Sequence, residues 1–335
     1  MNRQSAVARW LAPPTPAGEQ GSFERSVLKG LTGSRKTLEC KYLYDDQGSA
    51  LFGEICRQQE YYPTRSETEI LSRYAGNIAA AIGPDAEVVE LGSGASLKTR
   101  ILLRALRRPA AYIPVDISAD YLRTAAASLA DEFSGVAVSP VVADFTASFN
   151  LPRRSRRVPR LLFFPGSTIG NFHPAHAERF LRQTCRSLEP DALLIGVDLK
   201  KDRAVLQAAY NDAAGMTAAF NLNLLKRINR ELDATFDLSL FNHQAFYTEE
   251  RGRMEMHLHS AIAQTVRVAG RYVGFTALES IHTESSYKYS VAEFVALAAR
   301  AGWQSTDAWL DDGELFSVHL LIPAEPISPG ASGFD

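Results

Sequence analysis

Only three cysteines, Cys40, Cys56 and Cys185, occur in the 335 residues. They are too few and too scattered for a disulfide framework or a metal knuckle, so reduced thiols are expected. No apolar run approaches the roughly 18 residues that span a bilayer. The formal net charge is only -2, and bulk charge therefore suggests neither nucleic acid nor a membrane surface as a partner. The opening stretch, MNRQSAVARWLAPPTPAGEQGS, lacks the continuous apolar segment of a signal peptide, so a cytoplasmic protein is expected. Internal repeats and low-complexity runs are also missing. With 46% hydrophobic residues, the chain can bury one elaborated domain or two intimate ones. Small metabolites are the partners that remain.

What is present starts with Val88 to Arg100, VVELGSGASLKTR, an apolar run ending in Glu90, then a glycine turn, then a helical pattern from near Ser96. Gly92 and Gly94 let the backbone turn sharply and approach a ligand, although a plain tight turn can look the same. The next apolar run, AYIPVD, ends in Asp116, about twenty residues on, where a carboxylate can accept both hydroxyls of a ribose. NAD enzymes and S-adenosyl-L-methionine (AdoMet) methyltransferases share these two features. Dinucleotide sites want a third glycine so that helix and strand pack closely beneath a pyrophosphate. Here that position is Leu97, which favours AdoMet, a cofactor with no phosphate.

From Glu87 to Asp198 strand-like runs alternate with helical ones (EVVEL, AYIPVD, VAVSPVVADF, RLLFF, ALLIGVDL), as in a parallel sheet wrapped by helices. Asp116, Asp144 and Asp198 follow or end such runs and would face one crevice at the C-terminal strand ends. After Lys201 the pattern becomes one long helical stretch and then β-like alternation, which reads as an insertion. The predicted fold is α/β: an AdoMet-type Rossmann-like sheet from residues 83–201 and 288–323, closed by a late antiparallel hairpin. Residues 20–82 and 202–287 would form a cap over the crevice.

Several clusters have plain structural readings. Arg153, Arg154, Arg156, Arg157 and Arg160 look like a phosphate patch but sit in a proline-flanked segment and are expected to be solvated. His257 and His259 share one face of a probable strand, yet no third ligand stands at fitting spacing, so no metal is expected. Met254, Met256 and Leu258 occupy the other face as core or pocket wall. FFPGSTIGNF places Ser167, Thr168 and Asn171 after a buried strand, in a turn or a site. TESSYKYS puts Glu284 and Ser286 on the same side of an extended chain.

Taken together, the strings KYLYDDQGSALFGEI, EYYPTRSETEIL, VELGSGASLKTR, PVDIS, ADF, GSTIGNF, DAAGMTAAFN, NRELDATFDL and TESSYKYS resemble the histidine Nα-methyltransferase family of ergothioneine biosynthesis. That family trimethylates the α-amine of L-histidine to hercynine. The resemblance implies that Gly92 and Lys98 contact the methionine part of AdoMet, Asp116 the ribose, Asp144 and Phe145 the adenine, and Gly166 the cofactor edge. It also implies that Tyr61, Asn171 and Tyr210 hold the substrate's amine and carboxylate. Glu284 and Ser286 would hydrogen-bond the imidazole against Met256, and Tyr44 with Asn171 would stand at methyl transfer. A monomer without metal is expected. A tryptophan methyltransferase is disfavoured because Glu284 would face an indole unpaired, and a non-catalytic AdoMet sensor because both sets of site residues are retained.

Overall fold

In a computed structural model, the chain is described over residues 16–94, 97–147, 149–154 and 158–324, with backbone alone for 16–20. The main sheet runs, edge to edge, Trp303–Leu310, Phe316–Pro323, Ala192–Asp198, Arg160–Phe164, Glu87–Leu91, Ala111–Asp116 and Ala137–Val138, with Val141–Val142 also paired to Ala111–Asp116. All pairings are parallel except those of Phe316–Pro323, which is antiparallel to both neighbours. The chain lays Ala111–Asp116 on one side of Glu87–Leu91 and later Arg160–Phe164 on the other. Strand order therefore reverses at Glu87–Leu91, and a crevice opens beyond its C-terminal end. Every residue of that strand is buried, its two glutamates included: Glu87 pairs with Arg160, and Glu90 accepts from Thr99 and Tyr112. VAVSPVVADF, expected as one strand, is two pieces of two residues each, interrupted at Ser139 and Pro140; proline cannot donate to a ladder.

A second sheet of four strands has the order Lys36–Thr37, Ser280–Tyr287, Arg253–Ser260, Phe241–Thr248. The long helical stretch after Lys201 is two helices, Arg203–Tyr210 and Met216–Leu232. They are separated where Gly215 takes φ 71°, a conformation that favours glycine. These helices, the segment from Phe23 to Tyr62 and the second sheet share one apolar core. The helices Tyr62–Arg73 and Ala75–Ile82, by contrast, join the core on one face of the main sheet through Ile70, Leu71, Ile78 and Ala79. These two helices, expected in the cap that runs to residue 82, therefore pack with the main sheet.

Candidate active site

The residues expected at the cofactor combine a glycine turn with a few side chains around it. Beyond Glu87–Leu91, Gly92 (φ 75°) and Gly94 (φ 45°) both take left-handed conformations. The helix that follows runs Leu97–Ala105; its expected start at Ser96 lies outside the described residues. A Cβ on Gly92 would come within 3.4 Å of the Phe145 ring, and beside Gly94 there is open space. The Asp116 carboxylate accepts from the Ser118 N–H at 3.0 Å and, at 3.4 Å, from that of Gly94, which leaves lone pairs for a vicinal diol. Burial pushes its pKa up, countered by these peptide donors. Asp144 accepts from the Thr146 N–H at 2.9 Å and from Lys41 Nζ at 3.2 Å. Burial alone would raise its pKa, but the Thr146 and Lys41 contacts hold it below the ordinary range. A diol acceptor, an aromatic face over a bare glycine and a carboxylate for an exocyclic amine together fit AdoMet.

Lys98 and Gly166 meet at a residue the sequence reading missed. Glu67 is fully buried; it pairs with Lys98 Nζ and accepts the Gly166 N–H at 2.8 Å. It stands on the buried stripe Tyr62, Pro63, Ser66, Glu67, Ile70, Leu71 of its helix. A carboxylate on such a stripe was the available signal. Room for it depends on Gly196, where a Cβ would fall 2.0 Å from Glu67 Oε1. Glu90 is buried beneath the turn and accepts from Thr99 at 2.6 Å and from Tyr112 at 2.5 Å. Burial, opposed by these donors, pushes its pKa up to about 8.

The other end is built from side chains on distant segments. Tyr44 follows the short helix Cys40–Leu43 and precedes Asp45, which caps the helix Asp46–Ile55 through the Gly48 N–H at 2.8 Å. Tyr61 sits in a turn fixed by Arg65, whose guanidinium donates to the carbonyls of Gln58, Gln59 and Tyr61 at 2.9, 2.5 and 3.2 Å. The rings of Tyr44, Phe52, Tyr61 and Tyr210 follow one another at centroid distances of 5.6, 6.0 and 6.5 Å, and Phe220 lies 5.3 Å from Tyr44. Phe52 and Phe220 were not anticipated; both lie within the matching strings, but helical apolar spacing made them look like core alone.

Asn171 ends the short helix Thr168–Asn171, pressed onto the second sheet because Gly170 has no side chain. A Cβ there would meet the Tyr287 carbonyl oxygen at 2.7 Å. Met256 pairs with Glu284 across the sheet, next to a bulge between His282 and Glu284; such bulges re-aim side chains beside functional sites. Glu284 is 8% exposed, and none of the described residues hydrogen-bonds its carboxylate. Burial, partly offset by the Lys288 charge, pushes its pKa up to about 7. Glu284 lies close enough to Tyr44, Tyr61, Tyr210 and Cys40 that its charge would raise the pKa of each. Ser286 bonds Tyr210 at 2.9 Å and Lys288 at 2.9 Å.

Three expectations change. Asp198 does not serve the cofactor crevice: it is buried against Lys288 at 2.6 Å, Tyr62 at 2.7 Å and Lys201. The arginine cluster is not uniformly solvated. Arg160 is buried on Glu87 at 2.6 Å, Arg154 binds the carbonyls of Val158 and Glu189 and the Asp191 carboxylate, and Arg156 and Arg157 lie outside the described residues. His257 does gain partners of metal-ligand type: a neighbouring strand brings His282 beside it and Glu255, all within 4.8 Å. Yet Glu255 is already neutralised by Arg251 and Arg253 at 3.2 and 2.5 Å, and a cation there would face two guanidinium groups.

Comparison with known proteins shows the family. The family model for "Histidine-specific methyltransferase, SAM-dependent" matches residues 23–323. The histidine N-alpha-methyltransferase of Mycolicibacterium smegmatis is 43% identical over 95% of this chain and 99% of its own length. Its namesake from Mycobacterium tuberculosis is 41% identical over 89% and 94%. Ergothioneine biosynthesis protein 1 of Neurospora crassa is 30% identical over 88% of this chain, which matches 34% of that longer protein.

Proposed function

This chain belongs to the SAM-dependent, histidine-specific methyltransferases, and from that premise we propose that it converts L-histidine to hercynine by three methylations of the α-amine, a step of ergothioneine biosynthesis. The observation that carries the choice of amino acid is the buried Glu284 carboxylate, which has no hydrogen-bond partner among the described residues and lies near the Tyr44, Tyr61 and Tyr210 side chains. An imidazole N–H satisfies it; an indole set flat against it would not.

AdoMet, when bound, supplies an electrophilic methyl group on a sulfonium whose leaving group is already good. Alignment therefore provides most of the catalysis, and the chain's task is to hold a neutral amine in line. Tyr61, Asn171 and Tyr210 hold the amine and carboxylate; Glu284 and Ser286 fix the ring; Met256 walls it. No strong base is required, because a model α-amine titrates near 8 and water can carry its proton away. The Tyr44, Phe52 and Tyr61 rings favour the growing fixed cation by about 0.5 to 2 kcal/mol, which drives the reaction to the third methyl. Asp116, Asp144 with Phe145, and Lys98 steadied by Glu67 hold the ribose, the adenine and the methionine carboxylate, while Gly92 and Gly166 leave room for them.

The enzyme is read as a cytoplasmic monomer. No helix among the described residues is long and apolar enough to cross a membrane. Incubation with AdoMet and an equal mixture of amino acids, followed by mass spectrometry, tests the assignment. Trimethylated histidine is expected, and methylated tryptophan in its place would refute it.

A further inference from the structure

We propose that Lys288 sets the hydrogen-bond polarity of the ring pocket: it holds Ser286 as a donor facing the cavity, so that the pocket selects a ring with one N–H and one bare nitrogen. This rests on the reading of Glu284 and Ser286 as the contacts of the ring. Lys288 is 2% exposed. Its ammonium lies 2.9 Å from Ser286 Oγ, 3.0 Å from the Tyr210 hydroxyl and 2.6 Å from Asp198 Oδ2. An ammonium has three donors and no acceptor; two of its hydrogens go to these hydroxyls, and its charge is held by the ion pair with Asp198.

Ser286 Oγ also accepts from the Tyr210 hydroxyl at 2.9 Å. Both of its lone pairs are then filled and its own hydrogen is left over. That hydrogen is the one proton the triangle of Lys288, Tyr210 and Ser286 can offer to the cavity. Glu284, two residues earlier on the same face of the strand, can only accept when ionised. One acceptor-only group beside one donor-only group matches a neutral imidazole. An indole has no bare nitrogen, so even one turned to bring its N–H to Glu284 would leave Ser286 unanswered, and a phenyl ring answers neither.

The cluster is tied into both domains. The other Asp198 oxygen is held by Tyr62 at 2.7 Å and by Lys201, and the Asp198 N–H donates to Ser167 Oγ at 2.9 Å, next to Gly166. A buried ion pair is seldom a net source of stability, whereas its orienting effect on two hydroxyls is direct. Lys288 is thus a positioning residue, acting on the substrate through Ser286.

The test compares histidine with β-(pyrrol-2-yl)alanine and β-(pyrrol-3-yl)alanine, which keep a ring N–H and replace the bare nitrogen by C–H. Assays run near pH 8, where imidazole is neutral. The parent enzyme should prefer histidine over both by about tenfold or more, the worth of one well-placed hydrogen bond. Ser286→Ala should erase that preference, and Lys288→Met should lower it by roughly fivefold, chiefly through loss of histidine turnover, with AdoMet affinity kept. In Ser286→Ala/Lys288→Met the second change should add nothing to the ratio. Should Lys288→Met fail to fold, Asp198→Asn/Lys288→Met removes both charges together and should show the same loss of preference. If these variants lower both substrates alike, Lys288 is merely structural and the proposal falls. A parent that methylates histidine without preferring it over either analogue overturns the proposal alone; a parent inactive on histidine overturns the underlying reading as well.

Discussion

The two ends of the crevice, on the assignment proposed above, would recognise their ligands by different means. At the cofactor end, glycine turns and peptide N–H groups at one strand terminus shape the space, with Gly92, Gly94 and Asp116 close together in the fold and in sequence. At the proposed substrate end, Tyr44, Tyr61, Tyr210 and Glu284 come near one another from four segments, and recognition would rest on buried side-chain chemistry. The contrast teaches that the first site is a property of a local motif, and the second a property of the assembled fold. Damage to one should therefore change AdoMet affinity, and damage to the other amino-acid choice.

The largest effect that would sharpen this division is expected from Glu284→Ala. Leaving a ring N–H unpaired costs about 1 to 3 kcal/mol, and more where the partner is charged. kcat/KM for histidine should fall roughly tenfold to several hundredfold, with AdoMet affinity unchanged and weak tryptophan or phenylalanine methylation appearing. A histidine-to-tryptophan ratio equal to the parent's would show that the ring lies elsewhere. Next comes Asp116→Ala, which removes charged hydrogen bonds to the ribose and should weaken AdoMet binding by about 2 kcal/mol. Calorimetry showing parental affinity would erase the distinction between the two ends.

The substrate end should also reveal itself through pH. The folded pKa of Glu284 is raised from 4.5 to about 7, so the folded state favours the protonated acid. Its contribution is most favourable below about pH 4.5 and is lost as pH rises through 7. Discounted for water in the cavity, the loss is about 1 to 2 kcal/mol. Glu284→Gln should flatten the fall in melting temperature between pH 5 and pH 8 relative to the parent, in steps of about that size. Glu90, raised to about 8, adds a similar slope that this variant leaves in place. Turnover should rise from about pH 6 to 9, since both the Glu284 acid and the substrate amine must lose protons; a flat single-turnover profile would contradict this.

How far the sequence could be read follows the same division. The glycine turn, Asp116 and the missing third glycine could be interpreted from their own neighbourhood, because the chain that folds the turn also contacts the ligand. Glu284 and Ser286 could be paired by strand periodicity, but no spacing within one chain segment puts Tyr61 against Tyr210. That side was legible only through resemblance to a family. Glu67 and Lys288 escaped because a buried charge declares itself through its partners, and those partners, Lys98 and Asp198, lie 31 and 90 positions away. His282 joined His257 for the same reason: strand pairing supplied what sequence spacing withheld.

The smallest expected effect is the most exacting test of the contrast. Lys41 reaches Asp144 at 3.2 Å, and Ser118 Oγ donates to the Tyr44 carbonyl at 2.8 Å; these contacts tie the N-terminal segment to the residues proposed to hold the cofactor. The Lys41 and Asp144 side chains are 32% and 27% exposed, so the pair is partly screened and worth only about 0.5 to 1 kcal/mol. If turns and peptide groups carry AdoMet binding, Lys41→Met should weaken it by no more than about fivefold. The loss should shrink further in 0.5 M salt, a concentration at which the Debye length is on the order of 4 Å. Histidine selectivity should stay as in the parent, since Lys41 touches none of the ring contacts. A loss of AdoMet affinity beyond tenfold, insensitive to salt, would mean that the cofactor end also depends on a charge brought from a segment far away in sequence, and both ends would then be properties of the assembled fold.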